Sequence, residues 1–303
     1  MIQLSGEAAA LATALLWSFT SMFFSFSGKR IGSAAVNRGR LLLASLMYAA
    51  THLWLYGSPL PLATDGVRLG WLALSAVLGL VLGDSALFQA FVLVGPRIAM
   101  LMMAMVPIVS TVLAWLLLGQ TMTGTELLGI AVTVCGIAYV VSEPAAEGAH
   151  GPSKRDDGYK LGIALGLAGA VGQATGLIAA ERGLVGGYPA LSASFVRMLV
   201  AGAILWSLAA FRGQLGPAIR SWRDRPALGS LAAGSVVGPF FGVTLSLYAI
   251  QHTRVGLAAT LMALTPVFLI PLGRVAYGEK VSRRGVVGTL LAFVGVALIL
   301  LPG

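Results

Sequence analysis

Long apolar runs constrain the fold of this 303-residue chain more than any other feature. Ten stretches of about twenty residues are nearly free of charge, and an apolar run of about 18 residues or more is long enough to cross a bilayer. Only 10% of the residues are charged, whereas a soluble domain carries about 25%. The sequence therefore predicts an all-α polytopic membrane protein and excludes secreted, fibrous and nucleic-acid-binding classes.

The apolar runs predict ten transmembrane helices. Their expected ranges are 6–27, 34–56, 68–93, 97–118, 124–142, 159–180, 189–211, 227–251, 255–277 and 283–301. A polar linker, 143–158, separates a first five-helix repeat, 1–142, from a second one, 159–303.

The net charge of +9 lies mostly in the connections between the apolar runs. Five alternate connections, with the adjoining helix ends, hold sixteen of the twenty Lys and Arg residues. Because basic residues collect on the cytoplasmic side of membrane proteins, these connections are predicted to be cytoplasmic and both termini non-cytoplasmic. The expected location is the inner cell membrane.

The two halves of the chain resemble each other. When residues 69–138 are shifted by 159 positions without a gap, 17 of 70 residues are identical, and Pro107 then meets Pro266. Each half has an odd number of spans, so the second half must cross the membrane in the opposite orientation. Inverted repeats of this kind are typical of secondary transporters, in which related halves alternate around one central site.

The paired motifs resemble those of the EamA family, part of the drug/metabolite transporter superfamily. An alanine, a small residue and a mid-helix proline recur as Ala90, Ala99 and Pro107 and as Ala249, Ala258 and Pro266, while Arg40 and Arg197 lead the second helix of each repeat. The pair Trp17-Ser18 fits the family, although the second repeat has Gln173-Ala174 there. The resemblance covers nearly the whole chain and implies a helical basket that moves small metabolites such as amino acids.

Asp84 is the most informative single residue, because it lies well inside the third predicted span. A carboxylate at that depth costs at least about 2.5–3.5 kcal/mol, so it should face protein or water. Its equivalent in the second repeat is Val243, and the architecture therefore does not require an acid there. Asp84 is predicted to couple transport to protons or to contact a substrate amine; alternatively it is a structural acid held by a neighbouring Ser or Arg.

Two arginines also lie within predicted spans. The guanidinium groups of Arg40 and Arg197 could each hold a carboxylate or phosphate in a two-point grip, or their long side chains could reach the headgroups. Arg197 lies against the positive-inside trend, which favours a role in a cavity or an ion pair.

Further residues are candidates for the cavity wall and for its gates. Polar and aromatic side chains at helical spacing would line the cavity: Trp17, Ser21, Phe88, Gln89, Gln173 and Tyr248. Ordinary helix packing is the alternative for each of them. Pro107 and Pro266 are predicted to be bending points of the two gates, since proline removes a backbone donor and kinks a helix; static kinks are the alternative.

The sequence predicts an ATP-independent secondary transporter of small polar metabolites, and the family resemblance favours amino-acid export. Importers, uncoupled exchangers, channels and membrane-embedded enzymes are the alternatives. No Walker motif, metal-spaced Cys/His cluster or glycine-flanked serine with a partner histidine occurs, so no cofactor, no metal and no enzymatic activity are expected. The expected partners are a small-molecule substrate and the lipid bilayer, with monomer and homodimer both open.

Overall fold

The structure is a computed structural model that describes residues 5–63, 65–141, 157–269, 272 and 283–300. This part of the chain is helical and contains no strand. The helices are α1 (Gly6–Ile31), α2 (Ser33–Tyr56), α3 (Gly66–Leu93), α4 (Gly95–Met103), α5 (Met105–Leu118), α6 (Gly124–Val141), α7 (Asp157–Leu184), α8 (Ala190–Phe211), α9 (Leu215–Ser221), α10 (Arg225–His252), α11 (Val255–Leu269) and α12 (Arg283–Leu300).

Each predicted apolar range contains a helix in the described part of the chain. Six of these helices are long and apolar enough to cross a membrane, namely α1, α3, α7, α8, α10 and the segment Ile98–Leu118. The short helix α9 follows α8 and was not predicted. Positions 143–156 of the predicted linker lie outside the described residues, whereas the remaining two already belong to α7.

Capping residues explain where several helices begin and end. Asp65 and Asp224 precede α3 and α10, and their carboxylates accept hydrogen bonds from the backbone N–H groups of Arg68 (2.8 Å) and Ala227 (3.0 Å). These bonds satisfy donors that a helix start leaves unpaired. Gly57 ends α2 at φ 69°, a left-handed conformation that glycine adopts without a Cβ penalty.

Helices α3 and α10 are both interrupted by a wider, π-helical stretch. It covers Ala76–Gly83 in α3 and Val236–Gly242 in α10, and these stretches coincide when the first half is shifted by 159 positions. Such stretches break the regular hydrogen-bond ladder and occur frequently at functional sites. The two halves therefore share a specific backbone irregularity as well as a sequence pattern.

A second irregularity also recurs. The helical path is interrupted at Ala104, between α4 and α5, and at Ala263 within α11, with backbone angles of φ −63°, ψ −12° and φ −68°, ψ −6°. Each alanine stands three residues before a proline, Pro107 or Pro266. A proline ring clashes with the carbonyl four residues earlier and removes a helical hydrogen bond. The helical path is therefore interrupted one turn before each of the two prolines.

Small residues allow α3 and α7 to pack closely. A Cβ on Gly172 would lie 2.7 Å from the Gly83 Cα, and a Cβ on Gly176 would lie 2.9 Å from the Gly79 Cα. Such close approach brings backbones together in membrane helices. It places the side chains of α7 directly against the π-helical stretch of α3.

The connections of the chain meet at two ends of the helix bundle. At one end, the last turn of α1 contacts the start of α10, where Arg30 Nε lies 2.9 Å from Oδ2 of Asp224. At the opposite end, Arg68 Nη2 donates to the carbonyl of Val185 at 2.9 Å. The α1–α2 connection lies at the first end and its counterpart, the α7–α8 connection, at the second. The two halves are therefore oriented in opposite directions.

Candidate functional site

A cavity of about 120 Å³ lies where the two halves meet. Residues of α1, α3, α4 and α5 from the first half and of α7, α8, α10 and α11 from the second contribute to its wall. Five pairs of repeat equivalents face it together: Asp84 with Val243, Leu87 with Ser246, Met100 with Ala259, Met103 with Met262 and Val106 with Thr265. The cavity thus lies on the approximate symmetry axis that relates the two repeats.

The wall is mostly apolar, with a few polar groups. Methionines Met100, Met103 and Met262 contribute flexible thioethers, which adapt to differently shaped ligands. Trp17 and Gln173, which occupy equivalent positions in the two repeats, lie on the wall as well. An apolar pocket with a small number of placed polar groups is the usual composition of a small-molecule site.

Asp84 is held on both of its carboxylate oxygens. Arg40 Nη2 donates to Oδ2, and Gln173 Nε2 donates to Oδ1. Gln173 reaches this position because α7 approaches α3 so closely, and it also contacts the carbonyl of Gly79 at 3.4 Å. The carboxylate joins α2, α3 and α7 through side chains from both repeats.

Arg40 is fully buried and is fixed from three sides. Its Nε donates to Asn37 Oδ1 at 2.9 Å, its Nη2 pairs with Asp84, and its guanidinium carbon lies 4.9 Å from the centroid of the Phe88 ring. Asn37 is held in turn by Ser85, at 2.9 Å from its Nδ2. Arg40 does not line the cavity, and its charge is neutralised by Asp84.

Arg197 lines the cavity but forms no direct ion pair of this kind. It is 3% exposed, yet among the described residues its Nε has no hydrogen-bond partner. None of the ion pairs between described residues includes it. A buried cation is costly unless it is paired, and Arg197 lies on the cavity wall without a direct ion pair among the described residues.

The repeat explains why the two arginines differ. Arg40 and Arg197 are equivalent, and the partner of Arg40 is Asp84. The residue equivalent to Asp84 is Val243, which is buried on the cavity wall and cannot accept a proton or a hydrogen bond. One repeat therefore contains a closed ion pair, and the other contains the same arginine without its acid.

Four of the nine predicted pathway residues line the cavity: Trp17, Asp84, Gln173 and Arg197. Arg40 and Phe88 lie behind Asp84, where they hold it in place. Pro107 and Pro266 follow the interruptions in the helices that carry the methionines.

Three predicted pathway residues lie elsewhere. Ser21 is buried and donates to the Ser18 carbonyl at 2.9 Å. Gln89 accepts a hydrogen bond from Ser33 near the start of α2, at 2.6 Å. The ring of Tyr248 stacks on His252 with centroids 3.9 Å apart. Helix packing, the alternative that the sequence left open, describes these contacts better than cavity lining.

Sequence reasoning missed Asn37, Ser246 and Thr265. Asn37 orients Arg40, while Ser246 and Thr265 lie on the cavity wall. The repeat contained a signal for the last two, because Ser246 is equivalent to Leu87, one turn after Asp84, and Thr265 is equivalent to Val106, next to Pro107. No group of three or more His, Cys, Asp or Glu side chains with metal-binding geometry occurs within the described residues.

Two repeats of opposite orientation, interrupted helices at equivalent positions and a central cavity are typical of multi-pass membrane transporters. The profile of the EamA-like transporter family matches residues 4–142 and 160–301, which is nearly the whole chain. The chain belongs to this family, and the resemblance seen in its paired motifs is confirmed. It is therefore a transporter of the drug/metabolite type.

Solved structures show the same architecture. One crystal structure is similar with a TM-score of 0.72 and 16% sequence identity, covering 97% of this chain and 96% of that one. At this identity the likeness establishes the fold alone. None of the curated proteins matches the chain.

Proposed function

We propose that this protein is an ATP-independent secondary transporter of small, carboxylate-bearing metabolites, the class that includes amino acids and their relatives. The observation that carries this proposal is that Arg197, on the wall of the central cavity, forms no ion pair among the described residues and has a buried Nε without a hydrogen-bond partner. Arginine matches the planar, two-oxygen geometry of a carboxylate better than any other side chain. A substrate carboxylate would supply the partner that Asp84 supplies to Arg40.

Alternating access supplies the transport mechanism. Ten spans in two inverted five-helix repeats can exchange conformations, so that the cavity opens first to one side and then to the other. The interruptions at Ala104 and Ala263 lie in equivalent helices on the two sides of the cavity. Bending there, ahead of Pro107 and Pro266, would open one gate while the other closes.

Orientation and direction complete the proposal. The end of the bundle that carries Arg30 and Asp224 belongs to the basic connections, so it is assigned to the cytoplasm by the positive-inside rule, and both termini are placed outside it. The protein is assigned to the inner cell membrane. Export is proposed because the family resemblance favours it.

The test is efflux from liposomes that contain the purified protein. The vesicles are loaded with a mixed pool of labelled metabolites, with protein-free vesicles as the control, and the remaining contents are identified by mass. We expect selective, saturable loss of a few carboxylate-bearing solutes. Loss restricted to solutes without a carboxylate would contradict the substrate class, and no selective loss from folded protein would contradict transport of such metabolites. Flux without saturation or counterflow would indicate a channel.

A further inference from the structure

The charge of the site restricts the cargo beyond the presence of a carboxylate. Asp84 is the one acidic side chain among the described residues that line the cavity, and it lies close enough to both Arg40 and Arg197 to interact electrostatically. Two guanidinium groups and one carboxylate leave a single positive charge in excess. Because a buried excess charge is unfavourable, the most stable complex contains a bound monoanion.

The one carboxylate among the described cavity residues is a poor partner for a substrate ammonium group. Both oxygens of Asp84 are engaged, one with Arg40 and one with Gln173. An ammonium group near this carboxylate would also lie next to the two arginines and would be repelled by them. The carboxylate of a bound amino acid would therefore be attracted by the arginines, whereas its ammonium group would be repelled by them.

The rest of the cavity wall favours a substrate whose remaining part, beyond the carboxylate, is apolar. Leu87, Met103 and Leu177 represent the apolar side chains that form most of the cavity surface. A hydroxyl-rich solute would leave several of its polar groups without hydrogen bonds against such a wall, and unsatisfied polar groups are costly. A second carboxylate would add a charge that no described cavity residue neutralises.

We infer that the preferred cargo is an amine-free monocarboxylate with an apolar body, such as a branched-chain or thioether 2-oxo acid or 2-hydroxy acid. This inference rests on the proposed function and narrows its substrate class. Arg40 and Arg197 determine the preference, because together they outweigh the charge of Asp84 and repel an amino group placed beside it. The amino acid of the same carbon skeleton is a poorer substrate.

Matched solutes test the inference on the wild-type protein in liposomes. Uptake of labelled 4-methyl-2-oxopentanoate into vesicles loaded with the same unlabelled acid is measured, with leucine, 2-hydroxy-4-methylpentanoate and 2-oxoglutarate as competitors. We expect the 2-oxo and 2-hydroxy acids to reach half-inhibition at concentrations at least tenfold lower than leucine does. The dicarboxylate should compete as weakly as leucine. Methionine and its 2-oxo acid form a second pair with the same expected order.

The other outcomes contradict either the inference alone or the inference together with the proposed function. If leucine competes as well as its 2-oxo acid, or if the 2-hydroxy acid behaves like leucine, the amine does not determine selection and the inference fails while the proposed function stands. If the 2-oxo acid is not transported but other carboxylates leave the mixed-pool vesicles, the inference fails in the same way. If no carboxylate moves in either experiment, the proposed function fails together with it.

Discussion

Arg40 and Asp84 form an ion pair whose side chains are 0% and 1% exposed. Arg40 lies on α2 and Asp84 follows the π-helical stretch of α3. The same two positions in the second repeat hold Arg197 and Val243, so the pair occurs once and leaves its second arginine available. The difference in charge between these two related sites therefore follows from a single substitution, Asp84 in one repeat and Val243 in the other.

Asp84→Asn is expected to destabilise the protein strongly, because it leaves the buried Arg40 without its counter-ion. Removing one partner of a buried pair costs about 3–5 kcal/mol. Thermal unfolding of the detergent-solubilised protein measures the effect. The double variant with Arg40→Gln should recover much of the loss, which a double-mutant cycle quantifies.

The proton-coupling role of Asp84 leads to a different expectation for the same variant. In that case Asp84→Asn would retain its stability and its exchange activity but would lose accumulation driven by a pH gradient. Both properties are measured on one preparation, so a stable variant with lost pH-driven accumulation would contradict the structural role.

Gly172→Ala is expected to force α3 and α7 apart, since the new Cβ would lie 2.7 Å from the Gly83 Cα. Overpacking of this kind costs about 1–3 kcal/mol, and the displaced Gln173 would also release Asp84. Gly70→Ala in α3 is the matched control, because a Cβ there has nothing within 4 Å. The control should be neutral or stabilising by up to about 1 kcal/mol. Equal melting temperatures for the two variants would show that this close approach is not required.

Asp224 should give the stability of the protein a pH dependence in the acid range. The backbone N–H of Ala227 and the side chain of Arg30 hold the pKa of Asp224 below its ordinary value. Its stabilisation is therefore present above the pKa of the unfolded chain and is lost as the pH falls through the lower, folded pKa.

Asp224→Asn tests this linkage through melting temperatures at neutral and acid pH. The variant should melt below the wild type at pH 7, and the gap should close in acid. Asp157→Asn is the control, because the Asp157 side chain is 99% exposed, and it should change little at either pH. A constant gap across the pH range would exclude the linkage.

Pro107→Ala and Pro266→Ala test whether the helix interruptions move during transport. Each substitution restores a backbone donor and favours a straighter helix. If bending there opens the gates, maximal transport rates should fall severalfold with little change in apparent substrate affinity. Pro189→Ala, at the residue before α8, serves as the control. Unchanged rates in both kink variants would identify the kinks as static.

Much of the fold could be predicted from the sequence because membrane helices carry their signal locally. A run of apolar residues identifies a span whatever it packs against, and the displaced copy of the pattern revealed the repeat. The short helix α9 escaped prediction because seven residues between two spans give no comparable apolar signal. The π-helical stretches in α3 and α10 were not predicted either.

Site residues could be predicted where a charged side chain lies deep within a predicted membrane span. Asp84 and Arg197 are conspicuous because charges are expensive inside a membrane. The pairing of Asp84 with Arg40 rather than with Arg197 depends on which helices are neighbours, and the sequence does not state this directly. Gln89 and Tyr248 lie outside the lining of this cavity, and a polar face on one helix does not reveal whether it faces a cavity or another helix.

The central claim is that Arg197 binds the substrate because it lacks the acid that its equivalent possesses. Val243→Asp places that acid at the matching position, and Val243→Asn is a control of similar shape without the charge. The measurement is exchange of a labelled monocarboxylate by both variants in liposomes. The account predicts that Val243→Asp melts at a higher temperature than Val243→Asn, and exchanges at least tenfold more slowly. Equal exchange by two well-folded variants would contradict it.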